Sequence, residues 1–169
     1  MEQAIISGIA FNRDEAKIVV RDVPDHPGIA SAILSPIGRA NIEIDMIVQN
    51  LSTNGMTDFT FTVNRTDMDK TMKVLENEVK DEIGAKEILA NDEVVKVSLV
   101  GVGMRSHAGV ASLMFQTLAE NNINIQMIST SEIKVSVLIQ EQYLEKAVKS
   151  LHTAFGLDRE DGDSKIAGL

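Results

Sequence analysis

Cysteine is absent from this chain of 169 residues. Its absence excludes a disulfide framework, a thiol nucleophile and a cysteine-based metal site. Long apolar runs are absent as well, since none approaches the roughly 20 residues that span a membrane. The first residues, MEQAIISGIAF, carry an acid where a signal peptide carries basic residues, and their apolar run is too short. We therefore expect a soluble, cytoplasmic protein with no membrane partner.

Basic residues are scarce in the sequence. There are 16 Lys and Arg against 25 Asp and Glu, which gives a formal net charge of −9. The phosphate backbone of a nucleic acid and an anionic membrane surface both attract clustered Lys and Arg. The charge balance therefore argues against nucleic acids and anionic membranes as partners of this protein.

The most informative feature of the sequence is a repeat. Residues 25–47, DHPGIASAILSPIGRANIEIDMI, match residues 106–128, SHAGVASLMFQTLAENNINIQMI, at a spacing of 81 positions and without a gap. A repeat of this length indicates two units of roughly 75–80 residues, each near the lower size at which one core suffices. The identical pairs are His26/His107, Gly28/Gly109, Ala30/Ala111, Ser31/Ser112, Asn41/Asn122, Ile42/Ile123, Ile44/Ile125, Met46/Met127 and Ile47/Ile128.

The predicted secondary structure repeats with the sequence. In each copy, apolar periodicity and turn residues predict the order strand, helix, strand, strand, helix. The first copy gains a fourth strand over residues 85–90, whereas the second runs into the acidic residues 158–163. A strand over residues 4–11 stands unassigned at the start of the chain. We expect it to complete the sheet of the second copy, with the first copy inserted between the two parts.

The predicted organisation is therefore α+β with two βαββαβ units. The first unit covers residues 15–92. The second combines residues 1–14 with residues 93–157, and residues 158–169 form a flexible tail. Three local predictions accompany this organisation. Thr66 and Asp69 cap the second helix of the first unit, the strand over residues 56–63 carries Thr62 on its polar face, and the first helix of the second unit starts only after Gly109.

The repeated loops could bind a small molecule. In both copies a strand runs into a glycine-containing loop that opens a helix, where backbone N–H groups and the helix dipole favour an anion such as a carboxylate. The next strand returns Asn41 or Asn122 toward the same region, where side-chain amides and carbonyls can receive an ammonium group. A free amino acid suits such a site. An alternative is equally compatible with the spacing, namely that Gly and Asn only shape turns in a duplicated scaffold.

Catalytic and metal-binding interpretations have little support. The sequence has no Ser–His–Asp arrangement at motif spacing and no P-loop. His26 and His107 occupy equivalent positions, which common ancestry explains better than a shared metal. Residues 101–106, GVGMRS, form an incomplete G-x-G-x-x-G motif with serine at the third glycine, which disfavours a dinucleotide site. We expect no catalytic residue, no metal and no cofactor.

Several longer segments carry a resemblance to a known family. They are DHPG at 25–28, NIEIDMIVQN at 41–50, TDFTFT at 57–62, VSLVGVGM at 97–104 and NINIQMISTSEIKVSVLI at 122–139. Together they resemble the C-terminal regulatory half of aspartate kinase, which some bacteria also make as a separate β subunit. The resemblance covers roughly residues 7–155. The nucleotide- and aspartate-binding domain of the kinase has no counterpart in these residues.

The resemblance implies two ACT domains, the ferredoxin-like βαββαβ module with an antiparallel sheet, the first inserted into the second. It implies a regulatory part of a phosphotransferase with a carboxyl acceptor, without catalytic activity of its own. The implied partners are the aspartate kinase catalytic domain or α subunit and a second copy, paired through ACT domains. The implied effector is L-threonine, alone or with L-lysine, in feedback control of aspartate-family amino-acid biosynthesis.

The resemblance also implies effector-binding positions. In the first unit they lie on the loop that opens the helix and on the following strand. In the second unit they lie at the start of the helix, on the following strand and just beyond it. Chemically, Asp45 or Glu132 could pair with an ammonium group, and Gln49 could bond a small hydroxyl. The full set is Asp25, Gly28, Ile29, Ala30, Ile44, Asp45, Gln49, Val110, Ala111, Asn124, Ile125, Ser131 and Glu132.

Three other functions compete with this interpretation. One is a stand-alone ACT-domain sensor of another small amino acid, without a kinase partner. Another is a small ferredoxin-like enzyme such as an acylphosphatase, which needs a positioned arginine and asparagine on the repeated loops, whereas Arg105 precedes only one of them. The third is a plain interaction domain, which predicts no effector at all.

Overall fold

In the computed structural model of the chain, the described residues are 5–51, 54–104, 108–158 and 164–165. They divide into two compact units. The inner unit is Asp14–Asp92, and the split unit combines Met1–Arg13 with Glu93–Leu169. The strands are β1 (Ile5–Asn12), β2 (Ala16–Pro24), β3 (Ile44–Gln49), β4 (Met56–Val63), β5 (Glu87–Asn91), β6 (Val94–Val102), β7 (Met127–Thr130), β8 (Lys134–Gln140) and β9 (Ser164–Lys165), and the helices are α1 (Ile29–Arg39), α2 (Met68–Val74), α3 (Lys80–Ile83), α4 (Ala108–Glu120) and α5 (Leu144–Ala154).

The inner unit is a four-stranded antiparallel sheet in the order β3-β4-β2-β5. Helix α1 covers it with Ile29, Ile33 and Ile37, which are buried and recur at the four-residue spacing of one helix face. Pro36 lies inside α1, and the helix continues past it to Arg39. The order β2-α1-β3-β4-α2-β5 is the predicted βαββαβ arrangement, and the predicted fold class is confirmed.

The second helix of the inner unit differs from its prediction in two ways. Thr66 does not cap it, because a 3-10 turn over Arg65–Asp67 leads into α2 and no side chain caps either element. A π-helical turn, Leu75–Val79, then separates α2 from α3. The wider turn still buries both of its terminal side chains in the core.

Strand β4 supplies the aromatic part of the inner core. Phe59 and Phe61 are buried, with ring centroids 6.2 Å apart. The prediction that Thr62 lies on the polar face is wrong, since Thr62 is fully buried. Its Oγ1 accepts a hydrogen bond from the backbone N–H of Met46 at 3.0 Å. The β3–β4 register shifts between Ile44 and Ile47, so the N–H of Met46 pairs with this hydroxyl where regular pairing is interrupted.

The split unit is a five-stranded antiparallel sheet in the order β7-β8-β6-β1-β9. Strand β1 pairs with β6 from Ile5 opposite Val102 to Asn12 opposite Lys96, which confirms that the first strand completes the second unit's sheet. Strand β9, which lies within the predicted tail, pairs with Ile5 and Ile6 of β1. The remainder of that tail, residues 159–163 and 166–169, lies outside the described residues.

The repeat is visible in the way each first helix ends. Asn41 and Asn122 have φ angles of 56° and 57°, and each follows the last turn of α1 or α4. The next residue donates back into the helix, from Ile42 N–H to Ile37 O at 3.2 Å and from Ile123 N–H to Leu118 O at 2.9 Å. Asparagine tolerates the left-handed conformation better than most side chains. The repeated Asn-Ile pairs therefore terminate helices, and β3 and β7 begin only at Ile44 and Met127.

The two first helices start differently. Gly28 precedes α1 as its N-cap residue with a φ of 96°. Gly109, its partner in the repeat, lies inside α4, which begins at Ala108. The prediction that this helix starts only after Gly109 is therefore wrong. Among the described residues, no helix is long and apolar enough to cross a membrane.

The pairing of β1 with β6 makes a stability prediction. Replacing the fully buried Ile6 by alanine leaves a cavity in the split unit's core, and we expect the free energy of unfolding to fall by about 2–5 kcal/mol. The neighbouring Ser7 is exposed, so Ser7→Ala should stay within about 0.5 kcal/mol of the parent protein. Urea unfolding measures both. An Ile6→Ala protein as stable as Ser7→Ala would contradict the placement of β1 in the core.

Candidate functional site

The loop of residues 25–28 joins β2 to α1 in the inner unit. Its Asp25 is fixed by its backbone, since the N–H of Asp25 donates to Gly55 O at 2.9 Å. The side-chain amide of Gln49, at the end of β3, lies 3.5 Å from Oδ1 of Asp25 and donates to it. Both side chains are exposed. The structure thus brings together two predicted site residues from different elements, with their polar atoms open to a ligand.

Gly28 shapes the other side of this loop. Its φ of 96° lies in the left-handed region, which glycine adopts without steric penalty. No side chain caps α1, although Ile29 N–H donates to His26 O at 3.2 Å. The first N–H groups of a helix have no partners within it and carry the positive end of the dipole. The start of α1 is therefore suited to a carboxylate.

The side chains that follow the loops are buried or half-buried. Ile29 and Val110, which are equivalent in the repeat, are both buried in the cores of their units. Ala30 and Ala111, also equivalent, are half-buried and pack against the same cores. The exposed surface at these four positions therefore consists mainly of backbone atoms and the small alanine side chains.

The strands after α1 and α4 contribute further predicted residues. Ile44 and its repeat partner Ile125 are half-buried against their cores, whereas Asp45 and Asn124 are exposed. The backbone N–H of Gln126, which follows Ile125, donates to Leu138 O at 2.8 Å. This bond joins the segment before β7 to the sheet, so that Asn124 and Ile125 have defined positions at the sheet edge.

Ser131 and Glu132 form the turn between β7 and β8. The hydroxyl of Ser131 accepts hydrogen bonds from the N–H groups of Ile133 at 3.4 Å and Lys134 at 3.1 Å, so it is engaged in the turn. The carbonyl of Glu132 accepts the N–H of Met104 at 3.1 Å. That bond ties the turn to the segment that follows β6. The Glu132 side chain is exposed.

Part of the predicted loop in the split unit lies outside the described residues. Residues 105–107, which include Arg105 and His107, belong to this part.

In the inner unit, Nδ1 of His26 is 3.0 Å from the carbonyl oxygen of Pro27. Within residues 5–51, 54–104, 108–158 and 164–165, no group of three His, Asp or Glu side chains is placed to hold a metal ion.

Two residues of β4 support the site and were not singled out from the sequence. The hydroxyl of Thr57 donates to the carbonyl of Asn50, next to Gln49. The carboxylate of Asp58 accepts the backbone N–H of Asp22, three residues before Asp25, at 2.9 Å. Both lie in a strand whose alternation predicts only an inner and an outer face. The feature that could have pointed to Thr57 and Asp58 is their position in β4, opposite the end of β2 that leads into the loop.

Electrostatics at the loop are dominated by carboxylates. Asp22, Asp25 and Asp58 lie on or beside it, and Nζ of Lys86 is 3.7 Å from Oδ2 of Asp22. An amino acid at this loop would therefore place its ammonium group near carboxylate oxygens, while its carboxylate could turn toward the start of α1. At the opposite end of β2, burial lowers the pKa of Lys17 below its ordinary value.

Comparisons with known proteins agree with this geometry. Residues 18–80 and residues 97–155 each match a family model of the ACT domain. The chain is 66% identical over 158 residues to an aspartate kinase of Pseudomonas fluorescens (strain SBW25), covering 94% of this chain and 38% of that protein. It is 46% identical over 170 residues to an aspartokinase of Mycolicibacterium smegmatis, covering 99% of this chain and 40% of that protein.

Two solved structures match nearly their whole length. One is a chain in a crystal structure of aspartokinase alpha and beta subunits, with 58% identity, a TM-score of 0.84, and coverage of 89% of this chain and 99% of that one. The other is the ligand-free regulatory subunit of aspartate kinase from Thermus thermophilus, with 37% identity, a TM-score of 0.85, and coverage of 89% and 98%.

The fold and the repeated loops define the chain as a tandem ACT-domain regulatory protein. The two solved structures are aspartokinase chains that this chain covers almost completely. The chain belongs to the aspartate kinase family, as its regulatory ACT part. It spans about 38–40% of the length of the curated relatives cited above.

The left-handed conformation of Gly28 makes a prediction with a matched control. A Cβ at Gly28 meets nothing within 4 Å, so any loss in Gly28→Ala reflects the φ of 96°. We expect the free energy of unfolding to fall by about 1–2 kcal/mol. Gly38, near the end of α1, also has open space but no positive φ, and Gly38→Ala should raise stability by about 0.5 kcal/mol. Thermal or urea unfolding distinguishes them. Equal stabilities would show that the loop does not depend on glycine.

Proposed function

We propose that this chain is the effector-sensing module of an aspartate kinase. It binds L-threonine, alone or together with L-lysine, and thereby exerts feedback control on aspartate-family amino-acid biosynthesis. The observation that carries the proposal is the approach of Gln49 to Asp25 beside the uncapped start of α1. These three features are a hydroxyl partner, an ammonium partner and a carboxylate partner within one loop region.

The chemistry of threonine matches the inner site. Its carboxylate would accept N–H groups at the start of α1, where Gly28 leaves the approach open. Its ammonium group would pair with the carboxylate of Asp25 or Asp45, and its hydroxyl would bond the amide of Gln49. The buried Ile29 and half-buried Ala30 and Ile44 offer apolar surface for the threonine methyl group.

The split unit offers the related positions with a different polar set. Val110, Ala111 and Ile125 correspond in the repeat to Ile29, Ala30 and Ile44 of the inner site, and Asn124 precedes Ile125. Because Ser131 is engaged in its turn, Glu132 is the exposed acid that could receive a second ammonium group. The side-chain ammonium of lysine provides such a group, which is why lysine is the proposed second effector here.

The proposed partners are a second copy of the chain and the kinase catalytic domain or α subunit. Ile47 on β3 and Ile128 on β7 are equivalent in the repeat, and both are edge-strand residues with 52% and 46% of their surface exposed. Exposed apolar side chains on sheet edges support edge-to-edge pairing of ACT domains. Effectors that bind one arrangement better than another would supply a coupling of about 1–3 kcal/mol to the kinase. We expect this assembly to be cytoplasmic.

A stand-alone ACT sensor without a kinase is not favoured. The curated relatives cited above are aspartate kinases. The two solved structures that this chain nearly covers are a chain of aspartokinase alpha and beta subunits and a regulatory subunit of aspartate kinase. No observation on the site itself points to a different effector class.

Calorimetric titration with L-threonine tests the inner site. We expect saturable binding with a dissociation constant between micromolar and millimolar, roughly −8 to −4 kcal/mol. Gln49→Ala and Asp25→Ala should abolish it, because they remove the hydroxyl and ammonium partners. Gln116→Ala is the control, since it removes an exposed amide that pairs with Glu120 on α4, away from the predicted site residues. Undiminished binding by both site variants would refute the assigned loop.

The role of lysine is tested in the same experiment. If the effectors act together, threonine should bind weakly alone and more tightly when L-lysine is present. Glu132→Gln should then weaken lysine binding by about tenfold, because it removes the charge that faces the ammonium group. Glu145→Gln, an exposed acid on α5, is the matched control. Lysine binding that is unchanged in Glu132→Gln would exclude Glu132 from the site.

A further inference from the structure

Strand β2 does not enter the effector loop directly. Its register with β4 shifts between Val20 and Val23, and Asp22 lies in the interruption with a φ of 50°. A side chain other than glycine rarely adopts this conformation unless its surroundings hold it there. The bulge turns the end of β2 just before the loop that carries Asp25. Whatever holds Asp22 therefore also sets where that loop begins.

The group that holds Asp22 is the carboxylate of Asp58. Oδ1 of Asp58 accepts the backbone N–H of Asp22 at 2.9 Å, across the gap that the bulge opens between β2 and β4. The carboxylate of Asp22 itself faces Lys86, whose Nζ is 3.7 Å away, so it is not involved in that bond. Beyond the bulge, pairing resumes at Val23 opposite Thr57.

The bulge determines the geometry of the binding atoms. After Pro24 pairs with Met56, the N–H of Asp25 donates to Gly55 O at 2.9 Å. That bond fixes the backbone of Asp25, whose Oδ1 lies 3.5 Å from the Gln49 amide nitrogen. A change in the bulge would move Asp25 relative to Gln49, although neither residue contacts Asp58 in a bond that the structure shows.

The split unit achieves the same turn with different chemistry. Gly103, 81 positions after Asp22, has a φ of 72°. Ala16 pairs with Val63 in the inner sheet, and its repeat partner Val97 pairs with Val137 in the split unit's sheet. Five residues before Val63 and Val137 lie Asp58 and Glu132, which are therefore counterparts. There the carbonyl of Glu132 accepts the N–H of Met104, next to Gly103, at 3.1 Å. Met104 is the counterpart of Val23, so the split unit has a glycine at the position of Asp22 and a main-chain bond at the next residue.

We propose that Asp58 is a positioning residue for the inner effector site, acting through the backbone N–H of Asp22 on the loop that carries Asp25. The proposal rests on the proposed function only for the identity of the effector. Because the bond at Asp22 is made by a side chain, a single substitution of Asp58 removes it and leaves the main chain of β4 unchanged in sequence.

The test compares three variants of the 169-residue protein. Asp58→Ala removes the acceptor, whereas Asp58→Asn keeps an oxygen acceptor and removes only the charge. Lys86→Ala removes the cation that faces Asp22 and leaves the Asp58 bond intact. Urea unfolding first establishes that each variant folds. Amide hydrogen exchange at Asp22 and Asp25 then reports the loop, and calorimetry with L-threonine reports the site.

In Asp58→Ala we expect exchange at Asp22 and the threonine dissociation constant each to rise by about tenfold, since a hydrogen bond to a charged group is lost. Asp58→Asn and Lys86→Ala should stay within about threefold of the parent protein in both measurements. A residue that only stabilised the fold would lower the urea midpoint without this selective loss of affinity and its rescue by asparagine.

The proposal is overturned by unchanged exchange at Asp22 in Asp58→Ala, by unchanged threonine affinity in that variant, or by equal losses in Asp58→Asn. Failure of the proposed function looks different, because the parent protein itself would then not bind threonine. In that case, faster exchange at Asp22 and Asp25 in Asp58→Ala still supports the positioning role, and unchanged exchange refutes it.

Discussion

Each unit depends on one turn of the backbone, at which a central strand leaves its sheet and the chain continues into a helix. Asp22 and Gly103 make it with φ angles of 50° and 72° at equivalent positions of the repeat. The left-handed region is accessible to few residues, so the surroundings must specify it. In the inner unit a constrained backbone conformation therefore lies directly before the loop that we propose as the effector site.

Duplication has kept this geometry and varied its chemistry. The helix ends are nearly identical, with Asn41 and Asn122 in the same conformation and the same return bonds to the helix. The loop supports differ, since Asp58 uses its carboxylate and Glu132 uses its carbonyl. One consequence is that the carboxylate of Asp58 is engaged within the protein, whereas that of Glu132 remains exposed to solvent. The two proposed sites, although of common ancestry, can therefore differ in the effectors they accept.

Much of the fold follows from sequence because it is local or repeated. The alternation around Phe59 and Phe61 and the missing last strand of the second copy predict the sheets and the place of β1. Two of the failures concern contacts that depend on sheet register. Thr62 is buried beside a bulge in β3, and the alternation of residues in β4 does not indicate that bulge. Asp58 was missed for the same reason, whereas the pair of Asp25 and Gln49 was accessible through resemblance to relatives.

We propose the loop between β2 and α1, with Gln49, as a free amino-acid site in a regulatory part of aspartate kinase. The most direct measurement is a two-dimensional ¹H–¹⁵N NMR titration of the protein with L-threonine. We expect the first and largest shifts at the backbone amides of Asp25, Ile29 and Ala30 and at the side-chain amide of Gln49. Saturable shifts confined to other residues, with these four signals unmoved, would contradict it.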